Sequence, residues 1–211
     1  MHKLGYNLTM NIFYIDENPY TAARYMNNKH VVKMIVESAQ LLCTAHRMLD
    51  GYQKAVTING TQKTRWCMDD IVKHNALYQC THANHPSAIW ARASIQNYHW
   101  LYEHFLALMS EYTFRYGKHH KSEFLIPWLE NPPVNMVDIG FTPPPQAMPE
   151  EYKHINTVTA YRQYYCTAKL PLAQWKIREI PEWYLQLAQE LNPDKQFQVV
   201  TDGDLTKCLI I

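Results

Sequence analysis

The chain has 211 residues, 47% hydrophobic and 18% charged, with a formal net charge of +1; that length and composition support a sizeable core and argue against overall disorder. A charge so near zero argues against a globally basic nucleic-acid binder. Five cysteines without a CxxC pair argue against a disulfide framework or zinc ribbon and for a reducing, cytoplasmic setting, and no window reaches the roughly 18 apolar residues of a membrane span.

Met1 to Thr9 reads as a polar lead, with Met10 as an alternative start. Asn11 to Asp16 (NIFYID) is short and β-prone, and Asn18-Pro19 marks a helix start with Pro at the first helical position. The strongest helical pattern runs from Asn28 to Asp50 and closes on Gly51. Two β-prone arms around Asn59-Gly60 predict a hairpin. Asp69-Asp70 opens another helix, and a long helical stretch follows His85-Pro86-Ser87, with a break near Ser94, reaching Tyr116 and stopping at Gly117. Six prolines between residues 132 and 149 predict an irregular connection. Helical patterns resume over Glu150 to Ala168 and Pro181 to Leu191, and residues 192–211 read as a tail. The expected fold is mainly α: a single-domain helical bundle over residues 1–211 with one small β-hairpin insertion.

Two helices carry candidate chemistry. In the first, apolar side chains cover most of the circumference, while His30, Lys33, Glu37, Gln40, Thr44 and Arg47 recur at steps of three and four on one narrow stripe. The stripe either faces water, with Lys33 and Glu37 as an i,i+4 ion pair, or lines a cleft where a carboxylate, a histidine and cations act together on a polar substrate. The second helix ends in RYGKHHK, which places Arg115, Lys118, His119, His120 and Lys121 within seven residues. Cations there suit the helix dipole, and equally a phosphate-contact patch. His99, Glu103 and His104 lie close in sequence, but no HExxH, GxSxG, GxGxxG or P-loop signature is present.

KHVVK (Lys29 to Lys33) resembles the basic-acidic-apolar-x-basic stretch on the first helix of phage-type pyrimidine-dimer DNA glycosylases, the endonuclease V family. IPEWY (Ile180 to Tyr184) is similar to that family's C-terminal Pro-x-Trp-Tyr motif. The resemblance implies a small helical protein that acts on DNA. Family members cleave the glycosidic bond with an N-terminal α-amine, forming an imine with the sugar, assisted by a helix glutamate. Here His30 stands at the position of that glutamate, and the nearest acid on the stripe is Glu37. Asn11, which would follow a start at Met10, is too large for efficient methionine removal. The expected function is a nucleic-acid- or nucleotide-directed enzyme with His30 and Glu37 as acid–base groups. Lys29, Lys33, Arg115, Lys118, His119 and Lys121 would hold phosphate, and Trp183 and Tyr184 would stack on bases. This reading has DNA or a nucleotide as partner, with no cofactor, metal or membrane. The alternatives are a non-catalytic nucleic-acid-binding module and a metal-dependent helical enzyme with His and Glu ligands.

Overall fold

A computed structural model describes residues 10–211; the lead at 1–9 lies outside the described residues. Helix α1 (Pro19–Tyr25) begins where Asn18 accepts hydrogen bonds from the Tyr20 and Thr21 amides, satisfying two of the donors a helix start leaves free. Asn27 does the same for α2 (Asn28–Asp50) through the His30 amide. Strands β1 (Tyr52–Ile58) and β2 (Thr61–Cys67) pair antiparallel around Asn59 and Gly60, whose φ values of 50° and 76° give the twist that a two-residue hairpin needs. Gly51, between α2 and β1, has extended backbone; it is glycine because a Cβ there would collide with the carbonyl oxygens of Arg47 and Cys67.

Asp70 caps α3 (Ile71–Ala76), and α4 (Pro86–Ala91) is followed by the expected break. Ser94 then caps α5 (Ile95–Tyr116), which ends at left-handed Gly117. A short α6 (Ile126–Leu129) leads into the proline-rich connection. The remaining elements are α7 (Thr157–Cys166), β3 (Gln174–Lys176), α8 (Glu182–Leu191), β4 (Phe197–Asp202) and β5 (Leu205–Ile210).

The two long helices pack on each other, α1 lies on α5, and α7 pairs with α8. Val31, Met34, Ile35 and Leu42 of α2 meet Tyr98, Leu101, Phe105 and Leu108 of α5 in a core from which solvent is excluded. Burying side chains of this size contributes roughly 1.5–3 kcal/mol each before the entropy of ordering them is counted.

The mainly α fold with a small hairpin is as expected, with three differences. Asn11–Asp16 is irregular and pairs with no strand among the described residues, because Asn11 Oδ1 accepts from the Ile12 and Phe13 amides, Phe13 is left-handed, and the segment is buried against helices. The helical pattern from Glu150 gives a short 3-10 turn, and α7 proper starts only after Asn156, whose side chain caps the Thr159 amide. Residues 192–211 are more than a tail: β4 and β5 form a hairpin through Gly203 (φ 57°), and β3 completes a sheet of order β3-β5-β4.

Candidate functional site

The polar stripe of α2 does not face water as a whole. Its C-terminal half is buried: Thr44 exchanges hydrogen bonds with the Thr81 backbone, and Arg47 is fully enclosed. The solvent-facing part of the helix is a short strip of Lys29, Val32, Lys33 and Val36. Beside that strip Glu37 is only 6% exposed. One carboxylate oxygen lies 2.8 Å from Lys33 Nζ, and the other accepts from the Asn11 amide at 2.9 Å.

The segment that opens the described residues therefore crosses α2, with Asn11 over Glu37 and Phe13 over His30. Asn11 also donates through Nδ2 to the Ala147 carbonyl, which ties in the proline-rich connection. Phe13 has φ of 55°, a left-handed conformation that costs an aromatic residue about 1–3 kcal/mol and persists only where its surroundings over-determine it. Those surroundings are rings: His30 stacks on Phe13 at 4.1 Å, with Tyr161, Tyr164 and Tyr165 within 6.3 Å. The strained backbone of Phe13 thus lies two residues along the chain from Asn11, whose amide bonds the nearly buried Glu37 carboxylate.

His30 belongs to the wall of this site. Its Nδ1 meets the Tyr165 hydroxyl at 2.7 Å, while that hydroxyl accepts from the Asn27 amide. Burial, with Lys169 and Lys33 nearby, lowers its pKa to about 3, so the ring is neutral at ordinary pH. Burial likewise lowers His46 and His104 to about 4 each. His104 Nδ1 carries its proton, since its partner is the Pro19 carbonyl.

These three histidines set an acid limit on stability. All three have folded-state pKa values below the unfolded value of about 6.5, so the unfolded chain takes up protons first as pH falls. Their contribution is present above about pH 6.5 and is lost progressively towards pH 4 for His46 and His104 and towards pH 3 for His30. Unfolding free energies from urea titrations at pH 7.5 and 5.5 should differ by about 1 kcal/mol per histidine, and a pH-independent value would refute this assignment.

The residues expected to touch nucleic acid have different placements. Lys29, Lys33, Lys118, His119 and Lys121 are exposed, and His119 pairs with Glu123 at 2.8 Å. Arg115 is 1% exposed and bonds Glu111 at 2.6 Å, the Asn28 side chain and the Arg24 carbonyl. Arg178 clamps the same Glu111 through both carboxylate oxygens. The i,i+4 spacing of Glu111 and Arg115 signals that pair in the sequence; Arg178, from a distant loop, has no such signal. Tyr184 is buried against Trp175, and Trp183 is half-buried beneath the Arg162 guanidinium at 4.7 Å.

The structure thus brings the end of α5 to the first turn of α2, where Arg115 and Tyr116 bond Asn28. Arg115 and Glu37 have no partner in common among the described residues. A cleft of about 600 Å³ between α1 and residues 177–182 includes neither Glu37 nor its partners. A cavity of about 390 Å³ lined by His85, Pro145, Ala147 and Lys153 adjoins the Glu37 site through the Asn11–Ala147 bond. Among the described residues no three His, Cys, Asp or Glu side chains converge as a metal-ligand set. No described helix is long and apolar enough to cross a membrane.

The family model described as pyrimidine dimer DNA glycosylase matches residues 10–124, more than half of the chain. That span starts with the segment over Glu37 and runs past the end of α5; Trp183 and Tyr184 fall beyond it. No curated protein and no solved structure matches the chain.

Proposed function

The chain belongs to the pyrimidine dimer DNA glycosylase family, and from that premise we propose that it cleaves the glycosidic bond of damaged nucleotides in DNA, with Glu37 as its acid–base group. The observation that carries this reading is the 2.9 Å hydrogen bond from the Asn11 amide to Glu37, at the very start of the family-matched span. His30, at the sequence position of the family glutamate, is neutral and held by Tyr165; it shapes the wall and leaves proton transfer to Glu37. Lys29 and Lys33, on the exposed strip beside the carboxylate, supply phosphate contacts.

The chemistry needs a nucleophile that bonds to the sugar C1′ as the bond to the base breaks and its electron pair leaves with the base. A carboxylate within hydrogen-bond reach of that nucleophile can take the proton it sheds. Inside the chain the Asn11 nitrogen is an amide with a delocalised electron pair, so it cannot attack. A chain beginning at Asn11 would present a primary α-amine at this position; its attack displaces the base, the nitrogen sheds a proton, and breaking of the C1′–O4′ bond with protonation of O4′ opens the sugar to an imine that borohydride reduces to a stable adduct.

The test uses duplexes carrying a pyrimidine dimer or an abasic site, with the full chain and with a chain that begins at Asn11. Base release by either form, and borohydride trapping of the Asn11-start chain on the abasic duplex, are the expected results. Release without trapping would assign the nucleophile to water. Salt-sensitive binding by folded protein, with neither release nor trapping, would overturn the enzyme reading in favour of a non-catalytic DNA-binding module.

A further inference from the structure

The β1–β2 ribbon carries a charge pattern that the Glu37 site does not use. Between Tyr52 and Cys67 there are three cations, Lys54, Lys63 and Arg65, and no carboxylate. The register places Lys54 opposite Arg65 and Val56 opposite Lys63. Directly paired residues share a face, and alternate residues along a strand do too. All three cations therefore lie on one face, while Gln53, Ala55, Thr57, Gln62 and Thr64 occupy the other.

Like charges directly opposite each other weaken a ribbon unless something neutralises them. Lys54, Lys63 and Arg65 form no ion pair among the described residues. The cationic face also borders a groove of about 260 Å³, lined by Val56, Ile58, Arg65 and Cys67 on the ribbon and by His74 and Gln79 opposite. Lysines placed only to keep a ribbon edge from pairing need no common face; here the face is shared.

We propose that this ribbon is a second DNA contact, its cationic face set against the phosphate backbone of the duplex bound at the Glu37 site. The inference rests on the DNA-directed reading above. The dimensions suit it: a two-stranded ribbon enters a major groove about 12 Å wide. Lys63 and Arg65, two residues apart, are spaced by about 6.8 Å, against one phosphate per roughly 3.4 Å of axis on each strand.

The experiment measures affinity for an undamaged duplex between 50 and 200 mM salt, using the full chain and a K54S/K63S/R65S variant. Each neutralised phosphate contributes about 0.9 to the slope of log affinity against log salt, so three give about 2.7. Over that fourfold range the unaltered protein should lose about 40-fold more affinity than the variant. A Q53S/Q62S variant on the opposite face should keep the original slope. Should the triple variant misfold, K63E, at an exposed position, decides: weaker binding with a shallower slope supports the ribbon contact. A folded triple variant with the original slope overturns the ribbon contact alone. Absence of salt-dependent duplex binding by the unaltered chain overturns the DNA reading and the ribbon contact together.

Discussion

Replacing Glu37 with Gln is expected to slow base release by about 10²- to 10⁴-fold, the range in which a positioned acid or base acts, while duplex affinity and the thermal midpoint stay close to those of the unaltered protein. Glutamine has nearly the same shape, and its carbonyl oxygen can still accept from the Asn11 amide, so the segment over α2 keeps its anchor. What the amide cannot do is hold a proton or balance the charge of Lys33 at 2.8 Å. Single-turnover rates at saturating duplex separate the chemical step from binding. A His30→Gln variant makes the comparison informative. His30 is neutral with a pKa of about 3, so its loss should lower stability through the Tyr165 bond without moving the pH–rate profile. If E37Q releases base at the original rate, Glu37 is not the acid–base group.

The largest stability effect is expected at Arg47. This guanidinium has no carboxylate partner among the described residues and is fully buried, yet it is well satisfied. Its Nε donates to the Tyr78 carbonyl at 2.6 Å, Nη1 to Trp66, and Nη2 to His74 and Leu77 at 2.7 Å each. Four carbonyls from β2, α3 and the following loop converge on one side chain of α2, which is how the hairpin and α3 are held to the bundle. Arg47→Met fills much of the volume but strands those acceptors away from water, each at a cost of about 1–3 kcal/mol where relaxation cannot admit solvent. A total loss of about 3–5 kcal/mol is expected, as when one partner of a buried charged pair is removed. Urea unfolding measures it. Arg47→Lys should recover only part, because an ammonium cannot reach four acceptors in the guanidinium's fork. A loss below about 1 kcal/mol for R47M would show that the carbonyls find other donors.

As proposed, the cationic ribbon and the Glu37 site would make different demands on DNA, and that separates their failures. In the proposed reading Glu37, only 6% exposed, serves the chemical step at one sugar, so its loss should appear in the rate. Lys54 and Lys63 are exposed and Arg65 half-buried at a groove, so in the proposed contact their loss should appear in the salt slope. A chain can fail one test and pass the other.

Local chemistry determined much of the fold in advance. The helix starts at Asn18 and Ser94 and the stops at Gly51 and Gly117 follow from side chains or steric needs acting within a few residues, and the Asn59-Gly60 turn from backbone freedom. Residues 192–211 read as a tail, although Gly203-Asp204, flanked by the Asp202–Leu205 pair, is a two-residue loop with glycine first, which is also a hairpin signal. The docking of that hairpin onto β3 was not legible, because three residues of Gln174–Lys176 carry no periodicity of their own. Along α2 the sequence alone placed His30, Lys33, Glu37 and Arg47 on one stripe, since 3.6 residues per turn is a property of the backbone. Whether that stripe met water, protein or substrate depended on what packed over it. Only tertiary structure decided that: Phe13 covers His30, Asn11 reaches Glu37 across 26 residues, and carbonyls 19 to 31 residues away enclose Arg47. Burial and partnership are non-local, and a residue's chemistry at this site is set by its partners.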